Sequence, residues 1–273
     1  MNIVGMKKKY VFGVIVFIVI GYGIFFAFFS TAKQSNARLS GWYVGNQIWS
    51  NNIEVTGDIV IMGNLTVLPG TIVKFFIGDD RQDGDEVPAD GFNDKDPTRL
   101  LSYSTTHSSL LVLGRLTARG SEDQRILFTS VAPEPHLADW EAIIFRGDGS
   151  LVEYVIVEYS RNGLNPFGRQ PNSVIRNSIS RHVLWGAISS ANSNIKIVNN
   201  HLSDAGHEGI DLKSDGDQEI SGNIIEDCHT GIASITGSQI IQNNTITNCG
   251  DGVYISPQSR AISRNNTFVS APA

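Results

Sequence analysis

Cysteine, positive charge and helical periodicity are all scarce in this chain. Only two cysteines, Cys228 and Cys249, occur among 273 residues, which excludes a disulfide-stapled scaffold. Basic residues number 21 against 27 acidic ones, a net charge of −6, and no basic stripe runs through the sequence. That balance excludes nucleic acid as a partner and argues against direct docking on anionic lipid. Helical spacing of apolar residues is hard to find beyond residue 30. Alternation, as at Ile59, Ile61, Leu65 and Val67, is common instead, so the body reads as β structure.

Charge is missing altogether from Tyr10 to Phe29, a stretch long enough to span a bilayer as a helix. Lys7, Lys8 and Lys9 precede it, and the positive-inside rule keeps them cytoplasmic. Ser30 and Ala32 would suit a signal-peptide cleavage site. The apolar run exceeds the usual length of such a segment, which favours an uncleaved anchor over a secreted product. Both readings export the remainder of the chain. The expected organisation is a basic N-terminus at 1–9, a membrane segment at 10–29, a stalk and cap at 30–50, and a β body over 51–273.

What the body has in abundance is repetition. Asn177, Asn200, Asn223, Asn244 and Asn266 recur every 21 to 23 residues. Gly163, Gly186, Gly209, Gly231 and Gly252 keep the same period, as do Ile179, Leu202, Ile225, Ile246 and Phe268. A fixed period of this size marks a solenoid, whose repeats bury a core only by stacking. Cys228 and Cys249 fall in register on adjacent coils. In-register Cβ atoms on parallel strands point the same way about 4.8 Å apart, which suits two stacked thiols better than a disulfide. Farther upstream, Gly63–Val67 corresponds to Gly114–Ala118, and Val73–Phe75 to Ile126–Phe128. That offset exceeds one coil, and the excess lies in a polar stretch at 78–106, expected as an insertion.

The segments Asn223-Ile-Ile-Glu-Asp-Cys228 with Gly231-Ile232, and Asn244-Thr-Ile-Thr-Asn-Cys249 with Gly252-Val253, resemble the right-handed parallel β-helix repeat family. This pectate-lyase-like superfold includes carbohydrate-binding proteins and sugar hydrolases. The resemblance covers 53–270 and implies an all-β, single-stranded right-handed β-helix behind the N-terminal helix. It is specific for fold and weak for activity, because the fold hosts unrelated functions. The paired aspartates with Gly-His-Gly of the polygalacturonase-like members are absent, and Gly206-His207-Glu208-Gly209 is only a loose echo.

Two places carry candidate chemistry. Within the insertion, Asp83, Asp85, Asp90, Asp94 and Asp96 resemble the aspartate-rich loops of thrombospondin type 3 repeats and dockerins, which implies calcium. The alternative is an open, self-repelling acidic loop. On the coils, the asparagine ruler brings Asp204, His207, Glu208, Asp227 and His229 into one expected surface cluster, with Asp211, Lys213 and Asp215 close behind. Carboxylates beside imidazoles serve general acid–base chemistry or hold a transition metal. A solvated face with ion pairs such as Arg181 to Asp204 is the plainer reading. The function expected is a non-catalytic, membrane-anchored surface protein that binds polysaccharide or a surface protein. A polysaccharide lyase, hydrolase or epimerase is the alternative, and a structural segment of an envelope assembly a second. Sequons occur at Asn64, Asn243 and Asn265; the latter two lie beside or within the ladder and follow from the repeat composition, and no polar cap is visible after the Asn266 coil.

Overall fold

The computed structural model describes residues 18–19, 24–25, 31–77, 107–213 and 216–269. Among them no helix is long and apolar enough to cross a membrane. The helix expected over 10–29 is not supported. The four described residues of that segment, Ile18–Val19 and Ile24–Phe25, pair as short antiparallel strands, and the rest lies outside the described residues.

From Thr31 to Val269 the chain winds into one continuous 23-stranded sheet, parallel throughout and bent into three faces. Face 1 stacks Gln47–Trp49 under Leu65–Val67, then Leu116–Ala118, Leu151–Glu153 and Val174–Arg176, and onward to Ile262–Arg264. Face 2 runs from Ile53–Val55 through Val73–Phe75 and Phe128 to Val155–Glu158, and ends at Thr267–Val269. Face 3 joins Ile59–Ile61, Leu110–Val112, Ile143–Phe145, Leu164–Pro166, Ile188–Ala191, Ile210–Lys213 and Ile232–Ser234. Strands pair with the coil before and the coil after, the arrangement that a repeat unable to bury its own core must adopt.

Alternation along each strand sends one residue in and the next out. On face 3, Ile59, Ile61, Leu110, Val112, Ile143, Phe145, Ile210 and Leu212 are fully buried. Phe75 stacks on Trp140 with ring centroids 3.9 Å apart, and the Trp140 indole N–H donates to the Glu158 carbonyl at 3.0 Å. Burial of each large side chain contributes about 2 kcal/mol against an extended-chain reference.

The stack starts earlier than expected. Thr31–Tyr43, read from sequence as a stalk, pairs along its whole length with Asn46–Ile61 and forms the first rung. Gly114 sits at the corner from face 3 to face 1, directly over Gly63. A Cβ there would strike the Gly63 carbonyl, so only glycine lets the backbones approach. The 63–67 and 114–118 segments do stack, Leu65 on Leu116. Val73, however, lies over Phe128 rather than Ile126. Between Val55 and Ile59 the chain turns from face 2 to face 3 in a few residues. One rung later the same corner takes residues 76–109, so 78–106 is an insertion. The calcium candidates Asp83, Asp85, Asp90, Asp94 and Asp96 lie outside the described residues.

The asparagine ladder is real and begins one residue later than its spacing suggests. Asn200 Nδ2 donates to the Ile175 carbonyl and to Asn223 Oδ1, both at 3.0 Å, and its own N–H reaches Asn223 Oδ1 at 2.9 Å. Asn223 repeats this with Ile197 and Asn244, and Asn244 with Ile220 and Asn266. One rung back, the group that accepts from Val155 N–H and donates its own N–H to Asn200 Oδ1 is Ser178, not Asn177. Asn177 belongs to the adjoining column of left-handed corner residues, φ 52°, with Tyr154, Asn199, Gly222, Asn243 and Asn265. The same slip puts Ala187, not Gly186, over Gly163, and Ser180, not Ile179, under Leu202. Cys228 and Cys249 are free and neighbouring. Sharing a hydrogen bond with Cys249, together with burial, pushes the Cys228 thiol up.

Candidate functional site

Face 3 carries a cleft of about 360 Å³ in the rungs of Leu164–Pro166, Ile188–Ala191 and Ile210–Lys213. Its floor is the outward column Ile144, Asn165, Ser189, Asp211, one residue from each successive strand. Asn165 and Asp211 point outward because both neighbours of each, on either side, point into the core. Phe167 stands on one wall under the Arg146 guanidinium, 4.5 Å from the ring centroid. Trp185 and Arg161 form the opposite wall.

Arg161 is anchored by Glu141, Nη1 to Oε1 at 2.7 Å, and caps a column of rings. Its guanidinium lies 6.0 Å from the Trp185 centroid. Trp185 stacks on His207 at 4.7 Å and 3°, and His207 on His229 at 5.4 Å and 26°. His207 Nδ1 stands 2.6 Å from Glu208 Oε1, close enough for an ion pair though not aligned as a hydrogen bond. Beyond it, Lys213 Nζ reaches Asp211 Oδ2 at 2.6 Å.

Several buried acceptors here have no protein partner: Asn165 Oδ1, Asp211 Oδ1, Glu208 Oε2 and Glu141 Oε2. Asp211 is 3% exposed. Leaving such an oxygen unpaired costs about 1–3 kcal/mol, and two of them, Asn165 Oδ1 and Asp211 Oδ1, lie on the cleft floor two rungs apart, where a donor entering the cleft can reach them. Burial pushes the Glu208 carboxyl above its ordinary 4.5, and the nearby Asp211 charge adds to this, with His207 and Lys213 opposing. Burial raises Glu141 likewise, against the pull of Arg161.

The cluster expected from sequence divides. His207, Glu208 and His229 do come together, with Asp211 and Lys213 beside them. Asp204 instead sits at the preceding corner, φ 51°, 2.6 Å from His182, and Asp227 bonds Asn248 in the next rung. Arg181, expected on Asp204, pairs with Glu158 at 2.8 Å. No group of three or more His, Cys, Asp and Glu side chains able to hold a metal occurs among the described residues. The two imidazoles fail for a plain reason: stacked rings send their in-plane lone pairs along near-parallel planes, which do not converge on one ion. Asp215 lies outside the described residues. Sequence reasoning missed Arg161, Asn165, Trp185 and Ser189. With the ruler started at Asn177, Leu184 fell over His207; started at Ser178, Trp185 takes that position.

Residues 138–270 match the family model described as a right handed beta helix region. That region is similar to the right-handed β-helix family, and the parallel three-faced stack around it agrees with that likeness. No curated protein and no solved structure matches the chain. The cleft lies wholly within the part of the β-helix that the family model covers, while the rungs from Thr31 to Ser130 extend the same stack ahead of it.

Proposed function

We propose that this β-helix is a membrane-anchored, extracytoplasmic protein that binds carbohydrate, without cleaving it, in the face 3 cleft. The observation that carries the reading is the pair of buried, unpartnered acceptors on the cleft floor, Asn165 Oδ1 and Asp211 Oδ1. Hydroxyl groups are the donors that would satisfy them, and Lys213, which holds Asp211 Oδ2, lies beside them. Trp185 and Phe167 supply apolar walls for a sugar ring, and a concave site with a few convergent polar groups is the usual form of a small-ligand site. The uncharged stretch Tyr10–Phe29 behind Lys7–Lys9 supports the anchor, and the aspartates at 83–96 support calcium in the insertion.

The test titrates free oligosaccharides, neutral and acidic, into the full chain held in lipid nanodiscs. Binding of at least one class is expected, weakened about tenfold or more by Asp211→Asn and by Trp185→Ala. Binding that survives both substitutions, or no binding at all, sinks the reading. Calcium enters the same preparation as a thermal shift at millimolar concentration.

A second reading, glycan cleavage, has one observation in its favour. Burial holds Glu208 toward its protonated form, as a general acid requires, with His207 beside it and Asp211 nearby. Release of products that Glu208→Gln abolishes would replace the binding reading with this one.

A further inference from the structure

The exterior of face 3 changes character along the stack. The outward column that becomes Asn165, Ser189 and Asp211 in the cleft is apolar in every earlier rung: Trp42, Val60, Leu111 and Ile144, each in register with the next. Beside it run Met62 and Leu113. Trp42 is 70% exposed and Met62 49%, while Val60, Leu111, Leu113 and Ile144 are half-buried. An outward column on a solvated sheet is ordinarily polar, and isolated apolar residues need no account, but a contiguous strip marks a contact. The strip spans three rung spacings, about 14 Å.

The strip does not stop short of the cleft; it enters it. Ile144 is both the last residue of the apolar column and part of the cleft lining, one rung from Asn165. Phe167 adds a ring on the same side, under the Arg146 guanidinium. One straight surface therefore offers hydrocarbon contact at one end and unpartnered acceptors at the other. We propose that face 3 binds an amphiphilic glycan, a saccharide joined to a hydrocarbon chain, with the sugar in the cleft and the chain lying along Ile144, Leu111, Val60 and Trp42. This rests on the carbohydrate reading of the cleft and adds the ligand's second half. A free polysaccharide would leave the strip bare, and a bare bilayer would leave the cleft acceptors to water, so neither uses the whole column.

The test uses the full chain in nanodiscs doped with lipids bearing a photoreactive diazirine at the tail. One set carries saccharide headgroups (glucose, galactose, N-acetylglucosamine, glucuronate) and the control carries phosphocholine on the same tail. Cross-linked peptides are mapped by mass spectrometry. At least one glycolipid is expected to label the peptides containing Val60, Leu111 and Ile144 about tenfold more than the phosphocholine probe. Asp211→Asn should remove that excess, and Leu111→Gln should reduce labelling. Circular dichroism of each variant checks that the β-helix is intact, and Trp42→Ser, at an exposed position, serves if Leu111→Gln does not fold. Equal labelling by both headgroups overturns the proposal and makes the strip a bilayer contact. No labelling also overturns it, leaving the strip covered by another part of the chain or by a second copy. If free oligosaccharides still bind in either case, the cleft reading stands alone; if they do not, both fall.

Discussion

At the corner between faces 1 and 2, asparagine serves two neighbouring positions for different reasons. In one column its amide oxygen accepts from the preceding rung while its NH2 donates to a carbonyl of that same rung and to the amide oxygen of the next, as at Asn223. In the column before it, asparagine tolerates a left-handed backbone, as at Asn199 and Asn243. Asn223→Ala strips partners from Asn200 N–H, Asn200 Nδ2 and the Ile197 carbonyl at once. We expect a loss of about 3 kcal/mol or more, read as a fall in urea midpoint. The ladder was legible from Asn200 onward because amide and period agree there. It was misread at Asn177 because Ser178 does the amide's work with a hydroxyl, while the adjacent Asn177 fills the turn position. One residue of error was enough to hide Trp185 over His207. The cleft carboxylates give a second expectation. Burial raises the folded-state pKa of Glu208 above 4.5, so the native state binds the extra proton and stability falls as pH rises through that pKa. Glu208→Gln has no such proton to lose. Its Tm relative to the unsubstituted protein should therefore climb between pH 4 and pH 7, and a difference that stays flat would show that Glu208 titrates normally.

At the scale of a strand, position in the stack decides what a residue is worth. Phe128 and Phe268 occupy one inward column of face 2, joined through Val157, Ser180, Leu202, Ile225 and Ile246. Phe128 is 1% exposed and Phe268, in the last described rung, 56%. Phe128→Ala should cost about 3–5 kcal/mol and Phe268→Ala no more than about 1.5, compared by chemical denaturation. Equal costs would mean that the last rung is covered in solution. The parity of each strand was legible in the sequence, since alternation alone fixes which residues face in. The first rung was not, because Thr31–Tyr43 is largely polar on both sides and offers little alternation to read.

Over the whole molecule, the period identified the solenoid, and the break in the period identified 78–106 as foreign to it. The rung before crosses that corner between Val55 and Ile59, so a loop of a few residues suffices geometrically. Replacing 79–105 by four Gly/Ser residues should leave Tm within a few degrees and abolish any stabilisation by calcium. Collapse of the fold on that replacement would show instead that the insertion supports the stack. What the sequence could not announce was the cleft, because its parts come from rungs far apart in the chain and meet only once the register is known.

In a stack that contacts only its neighbours, damage travels from the ends inward. The strands that build the cleft floor, from Ile143 to Lys213, have paired rungs on both sides. Loss of pairing at Thr267–Val269 or at Thr31 therefore leaves the rung of Asp211 paired on both sides. The cleft should therefore outlast the loss of either flanking rung.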